Sequence, residues 1–213
     1  MVKPFSQACV NNQIAICQIL ERVFTDKKLV LEVGSGTGQH GVWFAKNLPH
    51  LIWQMSDREQ NHAGINQWIN DDPAPNLIAP IRLDVVSDPW PTARYDAMYS
   101  ANTAHIMPWV AVASMFAGVG QRLLGGGIFC LYGPFKYLGV LDAQSNIDFD
   151  YRLQQQSAHQ GIREFHDINQ LAMNAGLNLR EDNAMPANNR LIVWQKRCHG
   201  RQNALWLKKV VGR

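Results

Sequence analysis

A chain of 213 residues, 46% hydrophobic and 17% charged, can bury a sizeable core in one globular domain. It has no run of about 18 uninterrupted apolar residues, which argues against a membrane span, and its start, MVKPFSQACVNNQ, lacks the apolar stretch of a secretory signal, so a cytoplasmic location is expected. The net charge of +3 is uneven: the last 18 residues carry six basic side chains and no acid, so the body is mildly acidic and unsuited to a broad nucleic-acid surface.

Ala8, Ile14, Ile16, Ile19, Leu20 and Val23 recur at roughly helical spacing and predict a helix over 6–24. KLVLEV (28–33) is a short β-branched run stopped by glycine, the mark of a buried strand. GVWFAKNL (41–48) predicts a helix ending near Pro49. LIWQMSD (51–57) reads as a second strand, NHAGINQWIND (61–71) as a helix, and IAPIRLDV (78–85) as a third strand. YDAMYSAN (95–102) is the fourth strand, followed by a helix over 109–124. Glycines break the chain before a fifth strand, GGIFCLYGPF (126–135). The polar stretch 136–163, bordered or punctuated by Phe135, Tyr137, Phe149 and Tyr151, reads either as a substrate lid or as a plain connection containing helices. A helix near 166–175 ends at Gly176, consistent with a glycine cap, and LNLREDNAMP and RLIVWQK form two last strands joined by ANN.

Strands alternating with helices predict an α/β fold, a three-layer doubly wound sheet that is mostly parallel. The terminal pair, with no helix between its members, adds one antiparallel strand. In such sheets ligands sit at the carboxyl ends of the strands, where the strand order switches.

The run LVLEVGSGTGQHG (29–41) is legible in two frames. Gly36, Gly38 and Gly41 spell the dinucleotide pattern G-x-G-x-x-G. Gly34, Gly36 and Gly38 spell G-x-G-x-G, the loop of S-adenosylmethionine enzymes. Val33 is the last strand-like residue, so the turn starts at Gly34, and in that frame the dinucleotide pattern needs a glycine where the chain has Gln39. Glu32 is costly inside an apolar strand unless something satisfies it. Just before the loop it can face the ammonium of a methionine moiety, whereas it would repel a pyrophosphate. A lysine-paired Glu at the strand end is the plainer alternative. Asp57 ends the second strand, where an acid can accept hydrogen bonds from ribose hydroxyls. Asp84, at the end of the third, can accept from an adenine amino group while the Val85 amide reaches a ring nitrogen; a turn or helix cap is the alternative. Three carboxylates on three successive strand ends, with Gly34, Ser35, Gly36, Thr37 and Gly38 after the first, favour S-adenosylmethionine.

These stretches, with DAMYSANTAHIMPW, resemble class I S-adenosylmethionine-dependent methyltransferases. PFSQAC, LPHLIWQMSD, ANTAHIM, LYGPF, SNIDFD, GIREF and MPANN more narrowly resemble a methyltransferase-like family catalogued as a domain of unknown function, over about residues 4–196. The resemblance implies a seven-stranded Rossmann-like sheet with its last hairpin inserted antiparallel. It also implies S-adenosylmethionine held by Gly34–Gly38, with Asp57 at the ribose and Asp84 at the adenine. It supplies no acceptor.

Methyl transfer is an in-line displacement in which an enzyme positions donor and acceptor and can remove the acceptor proton. The acceptor is expected beyond the fourth strand, where Asn102, Thr103 and His105 lie. His105 is a candidate general base, since an imidazole titrates near neutrality, or a structural hydrogen-bonder. Asn102 can orient the cofactor carboxylate or a substrate group, and Tyr132, Asn188 and Asn189 can close the pocket. The fourth strand lacks the Asn/Asp-Pro-Pro-aromatic run of DNA and protein amino-group methyltransferases, and there is no Pro-Cys pair for C5-pyrimidine chemistry. A small-molecule acceptor is therefore expected. The competing readings are an NAD(P)-dependent oxidoreductase and a non-catalytic S-adenosylmethionine-binding scaffold.

Cys9, Cys17, Cys130 and Cys198 are scattered without a C-x-x-C pair and read as reduced thiols, with no metal site expected. The methyltransferase domain is expected to span 1–196. The basic stretch 197–213 reads as a solvated or partly helical tail, with RNA, an acidic partner or a membrane surface as alternative contacts.

Overall fold

A computed structural model of the protein describes residues 3–198; the basic tail from 199 onward lies outside the described residues. Helix α1 (Gln7–Val23) leads into strand β1 (Leu29–Val33), α2 (Gln39–Asn47), β2 (Ile52–Asp57), α3 (Glu59–Asp71) and β3 (Leu77–Arg82). Then come β4 (Tyr95–Ala101), α4 (Trp109–Arg122) and β5 (Leu123–Gly133). The chain continues through β6 (Phe135–Lys136), α5 (Gln144–Gln156), β7 (Arg163–Glu164), α6 (Phe165–Asn174), β8 (Leu177–Met185) and β9 (Asn189–Lys196).

Among the described residues, seven of these strands form one sheet in the order β3-β2-β1-β4-β5-β9-β8. Every pairing from β3 to β5 is parallel, and β9 inserts antiparallel between β5 and β8. The doubly wound sheet with an antiparallel terminal strand is thus present. Strand order reverses at β1, which has β2 on one side and β4 on the other. The carboxyl ends of β1 and β4 therefore open the crevice where this architecture holds ligands.

Alternation along the strands divides the interior in two. Val30, Trp53, Met55, Tyr99, Cys130 and Tyr132 pack with α1, α2 and α3 on one face. Leu31, Val33, Met98, Phe129, Leu131 and Trp194 pack with α4 and α6 on the other. Gly176, at φ +77°, ends α6 in the left-handed region as a glycine cap does.

Two strand boundaries lie three residues from the sequence reading. β3 stops at Arg82, short of Asp84, because it is a largely exposed edge strand and the chain then turns on Asp84. The glycines at 125–127 lie inside β5 rather than before it: Tyr95 pairs with Leu123 and Ala97 with Ile128, so the extra residues are absorbed as a bulge with Gly126 at φ +80°. The polar stretch 136–163 contains α5 and closes at its base through the two-stranded β6–β7 ladder.

Candidate functional site

Gly34, Gly36 and Gly38 have φ of +74°, +58° and +88°, so each second residue of the loop sits where L side chains are strained. The Gly34 and Ser35 amides both donate to the Ser56 carbonyl (2.9 and 3.0 Å), which fastens the turn to β2. A Cβ at Gly34 would come within 2.7 Å of the Thr103 methyl, and one at Gly38 within 3.0 Å of the Ile65 backbone. A Cβ at Gly36 would meet nothing within 4 Å. Gly36 thus borders open space, and the other two serve the packing of the loop. Gly41 differs again: a Cβ there would overlap the Met55 sulfur and approach Glu32 Oε2 to 2.7 Å. Its small size is needed by the α2–β2 contact, which removes it from a ligand-binding pattern.

Glu32 is 2% exposed, and its Oε2 accepts a hydrogen bond from the Trp53 indole at 2.8 Å. Its partner is therefore an indole, not the lysine of the plainer reading. Burial pushes the Glu32 carboxyl up to about 8, against the pull of the Trp53 and Ser35 hydrogen bonds, and the Asp57 charge adds to the rise. Because the folded value lies above the ordinary one of 4.5, this group's contribution to stability is complete below pH 4.5 and is lost as pH rises through 8. Asp57 sits at the same loop: Oδ2 accepts the Gly36 amide at 2.7 Å, and Oδ1 accepts the Arg58 amide and the Asn61 side chain.

Asp84 lies two residues past β3, in a turn. Its Oδ1 accepts the Val86 amide at 2.9 Å, and its own amide donates to Asp88. Val85 beside it is buried. Asp84 is thus a turn-capping residue in this structure, as the alternative reading allowed.

At the end of β4, the Ser100 hydroxyl bonds the Val33 carbonyl and the Thr103 hydroxyl, both at 2.7 Å, which locks β4 to the start of the glycine loop. Asn102 follows at φ +56°, a strained position that asparagine tolerates best among residues with a Cβ, and its amide donates to the Tyr132 carbonyl. His105 is 5% exposed, with the Phe149 ring of α5 edge-on at 5.3 Å. Burial, reinforced by the Arg163 cation, holds its imidazole down to about 4, so it is neutral at pH 7.

Tyr132 is not brought to His105. Its side chain belongs to the core beneath α1 and bonds Asn12, while Ala104 and Met107 beside His105 pack into the opposite cluster. Asn188 and Asn189 hold the β8–β9 turn: the Asn188 carbonyl accepts Asn146 of α5 at 3.0 Å, and Asn189 donates to the Pro186 and Ala187 carbonyls.

A family model matches this chain over residues 3–196. The chain belongs to that family, described as "Protein of unknown function (DUF938)". Its fold is shared with solved methyltransferases of low identity. An O-methyltransferase family protein from Burkholderia thailandensis superposes with a TM-score of 0.78 at 14% identity, over 91% of this chain and 58% of that one. An O-methyltransferase family 2 protein from Planctomyces limnophilus, in complex with apigenin, gives 0.75 at 14% identity over 87% and 56%. The structure "PigF with SAH" gives 0.72 at 15% identity over 85% and 61%. The chain therefore spans less than two thirds of the length of these structures.

Two groups at the site escaped the sequence reading. The Asn12 carboxamide of α1 meets His40 Nε2 of α2 at 2.7 Å, and Gln39 bonds the Ser6 backbone, so the N-terminal segment is fastened to the glycine loop. A polar residue on the buried stripe Asn12, Ile16, Leu20 was the available signal. The second is Arg163, whose side-chain hydrogen bonds all go to backbone carbonyls distant in sequence or across a turn; it lies in the GIREF stretch, but no residue pattern there pointed to these partners.

Proposed function

We propose that this protein binds S-adenosylmethionine and transfers its methyl group to a hydroxyl of a small molecule. The observation that carries the reading is Gly36 in left-handed conformation facing open space, beside a buried Glu32 carboxyl with no cation among its hydrogen-bond partners. These residues fit the cofactor: Gly36 keeps the open space beside the loop free of a side chain, and Glu32 offers an acid that a ligand ammonium would satisfy. When bound, the cofactor supplies an electrophilic methyl group on a sulfonium.

The chain's own residues bind and orient. In this reading the Gly34–Gly38 backbone, with Ser35 and Thr37, cradles the amino-acid part, Glu32 receives the ammonium, and Asp57 receives the ribose hydroxyls. Asp84 and the Val85 amide flank the adenine, and Asn102 orients the cofactor carboxylate or the acceptor. His105, neutral and shielded from water, accepts the acceptor's hydroxyl proton on a ring nitrogen. Tyr132 acts from beneath through the loop it supports, not on the reacting atoms. Apigenin and SAH, the partners of two structural neighbours in their complexes, agree with a small acceptor and this cofactor. Residues 1–196 form the catalytic unit in this proposal, with 197–213 a basic extension. No helix among the described residues is long and apolar enough to cross a membrane. A cytoplasmic location is part of the same proposal, and the free thiols of Cys9, Cys17, Cys130 and Cys198 are compatible with it.

Calorimetric titration tests the cofactor assignment. S-adenosylhomocysteine should bind and NAD should not, and binding at pH 7 should release a proton as Glu32 ionises against the ligand ammonium. The affinity should tighten as pH rises toward 8 and then level off. Glu32→Gln should remove the proton release. Binding of NAD alone would favour the oxidoreductase.

A further inference from the structure

We propose that Arg163 is a positioning residue that fastens the loop carrying His105 to the α5 insertion, so that the imidazole and the wall above it form one unit. The inference rests on His105 being the acceptor-side base.

The insertion, taken from Lys136 to Glu164 with its closing ladder, has its own polar centre. Asp150, 7% exposed, accepts the Ile162 amide at 2.6 Å, the Gln154 side chain at 3.0 Å and the Lys136 ammonium at 2.7 Å. The Glu164 carboxylate takes the Leu138 and Gly139 amides, which closes the other end of the ladder. The insertion is thereby held in shape by its own contacts.

Three of its residues, Arg163, Gly161 and Phe149, reach the loop that carries His105, while Tyr137 and Asn146 bond Asp182 and the Asn188 carbonyl elsewhere on the body. Arg163 Nε donates to the Ala104 carbonyl at 2.9 Å, and one Nη donates to the Met107 carbonyl at 2.6 Å and to the His159 carbonyl at 2.7 Å. The Gly161 amide donates to the His105 carbonyl itself at 2.9 Å. Phe149 adds its edge to the imidazole. Three of the four carbonyls from Ala104 to Met107 are therefore satisfied by the insertion. The turn's internal bonds go to Thr103, from the Ile106 and Met107 amides, and leave these carbonyls in need of donors.

The choice of arginine follows. One planar fork reaches carbonyls on both sides of His105, which a lysine's point charge cannot do in a fixed geometry. No carboxylate is among its hydrogen-bond partners. The charged groups around the imidazole come from the insertion: Arg163 acts on it directly, Asp150 acts on Arg163, and Lys136 is paired with Asp150. The same clamp thus orients the ring, keeps water from it and favours its neutral form.

The test is nuclear magnetic resonance of histidine-labelled protein, titrated between pH 4.5 and 8, in wild type, Arg163→Met and Arg163→Lys. In the wild type the His105 signals should stay at their neutral positions. In both variants the released loop hydrates the ring, and its midpoint should climb by at least about one pH unit into the measured window. S-adenosylhomocysteine affinity should remain within about twofold, because the glycine loop is not touched. Arg163→Lys keeps a cation and guards against a variant that fails to fold. A His105 that stays neutral in folded Arg163→Lys would overturn the clamp, as would loss of cofactor affinity in step with the shift. Unchanged methyl transfer by His105→Gln would instead sink the base assignment and leave the clamp standing.

Discussion

Gly36→Val should weaken S-adenosylhomocysteine binding at least about 100-fold while the protein stays folded. A Cβ at Gly36 meets no protein atom within 4 Å, so the loop has room at the branch point of a new side chain. The cost to the fold is the strain of a β-branched residue at φ +58°, about 1–2 kcal/mol, which lowers the melting temperature by a few degrees. In the proposed binding mode the cost to binding is larger, because the added methyls occupy the open space beside the loop that the cofactor enters. Gly34→Ala and Gly38→Ala should behave differently. Their methyls would press on Thr103 and Ile65, so stability and binding fall together. A folded Gly36→Val protein with wild-type affinity would show that this loop does not hold the ligand.

His105→Gln should lower methyl transfer by about 10²–10⁴-fold and leave S-adenosylhomocysteine affinity unchanged. The imidazole is neutral above about pH 5, so at saturating cofactor the wild-type rate should be level through neutrality and fall as pH drops through about 4. Glutamine retains hydrogen-bonding groups but cannot take up the proton. A purely structural His105 would lose stability on substitution while transfer per folded molecule held steady.

Much of the fold was legible because this sheet writes itself in short apolar runs stopped by glycine. Val33 before Gly34 marked the start of the loop, and Asp57 closing LIWQMSD marked the second strand end. Glu32 was legible for a thermodynamic reason, since an acid in a buried strand demands a partner. Other features depend on context that a linear reading does not carry. The glycines 125–127 looked like a break because glycine weakens strands, yet a bulge against β4 accommodates them. Asp84 looked like a strand end because RLDV continues an apolar run, yet edge exposure ends β3 at Arg82. Tyr132 looked available to close the pocket, but its place in β5 turns its side chain toward the core beneath α1. The Arg163 clamp joins positions more than fifty residues apart through backbone carbonyls, which leave no residue pattern behind.

The most direct measurement is incubation of the purified protein with methyl-labelled S-adenosylmethionine and a metabolite extract, followed by chromatography of the labelled products. The expected outcome is label in a small molecule, stable to mild acid and mild base as a methyl ether is, and absent with Gly36→Val. An extract in which the wild type binds the cofactor yet labels nothing above the Gly36→Val background would contradict methyl transfer and leave a cofactor-binding scaffold.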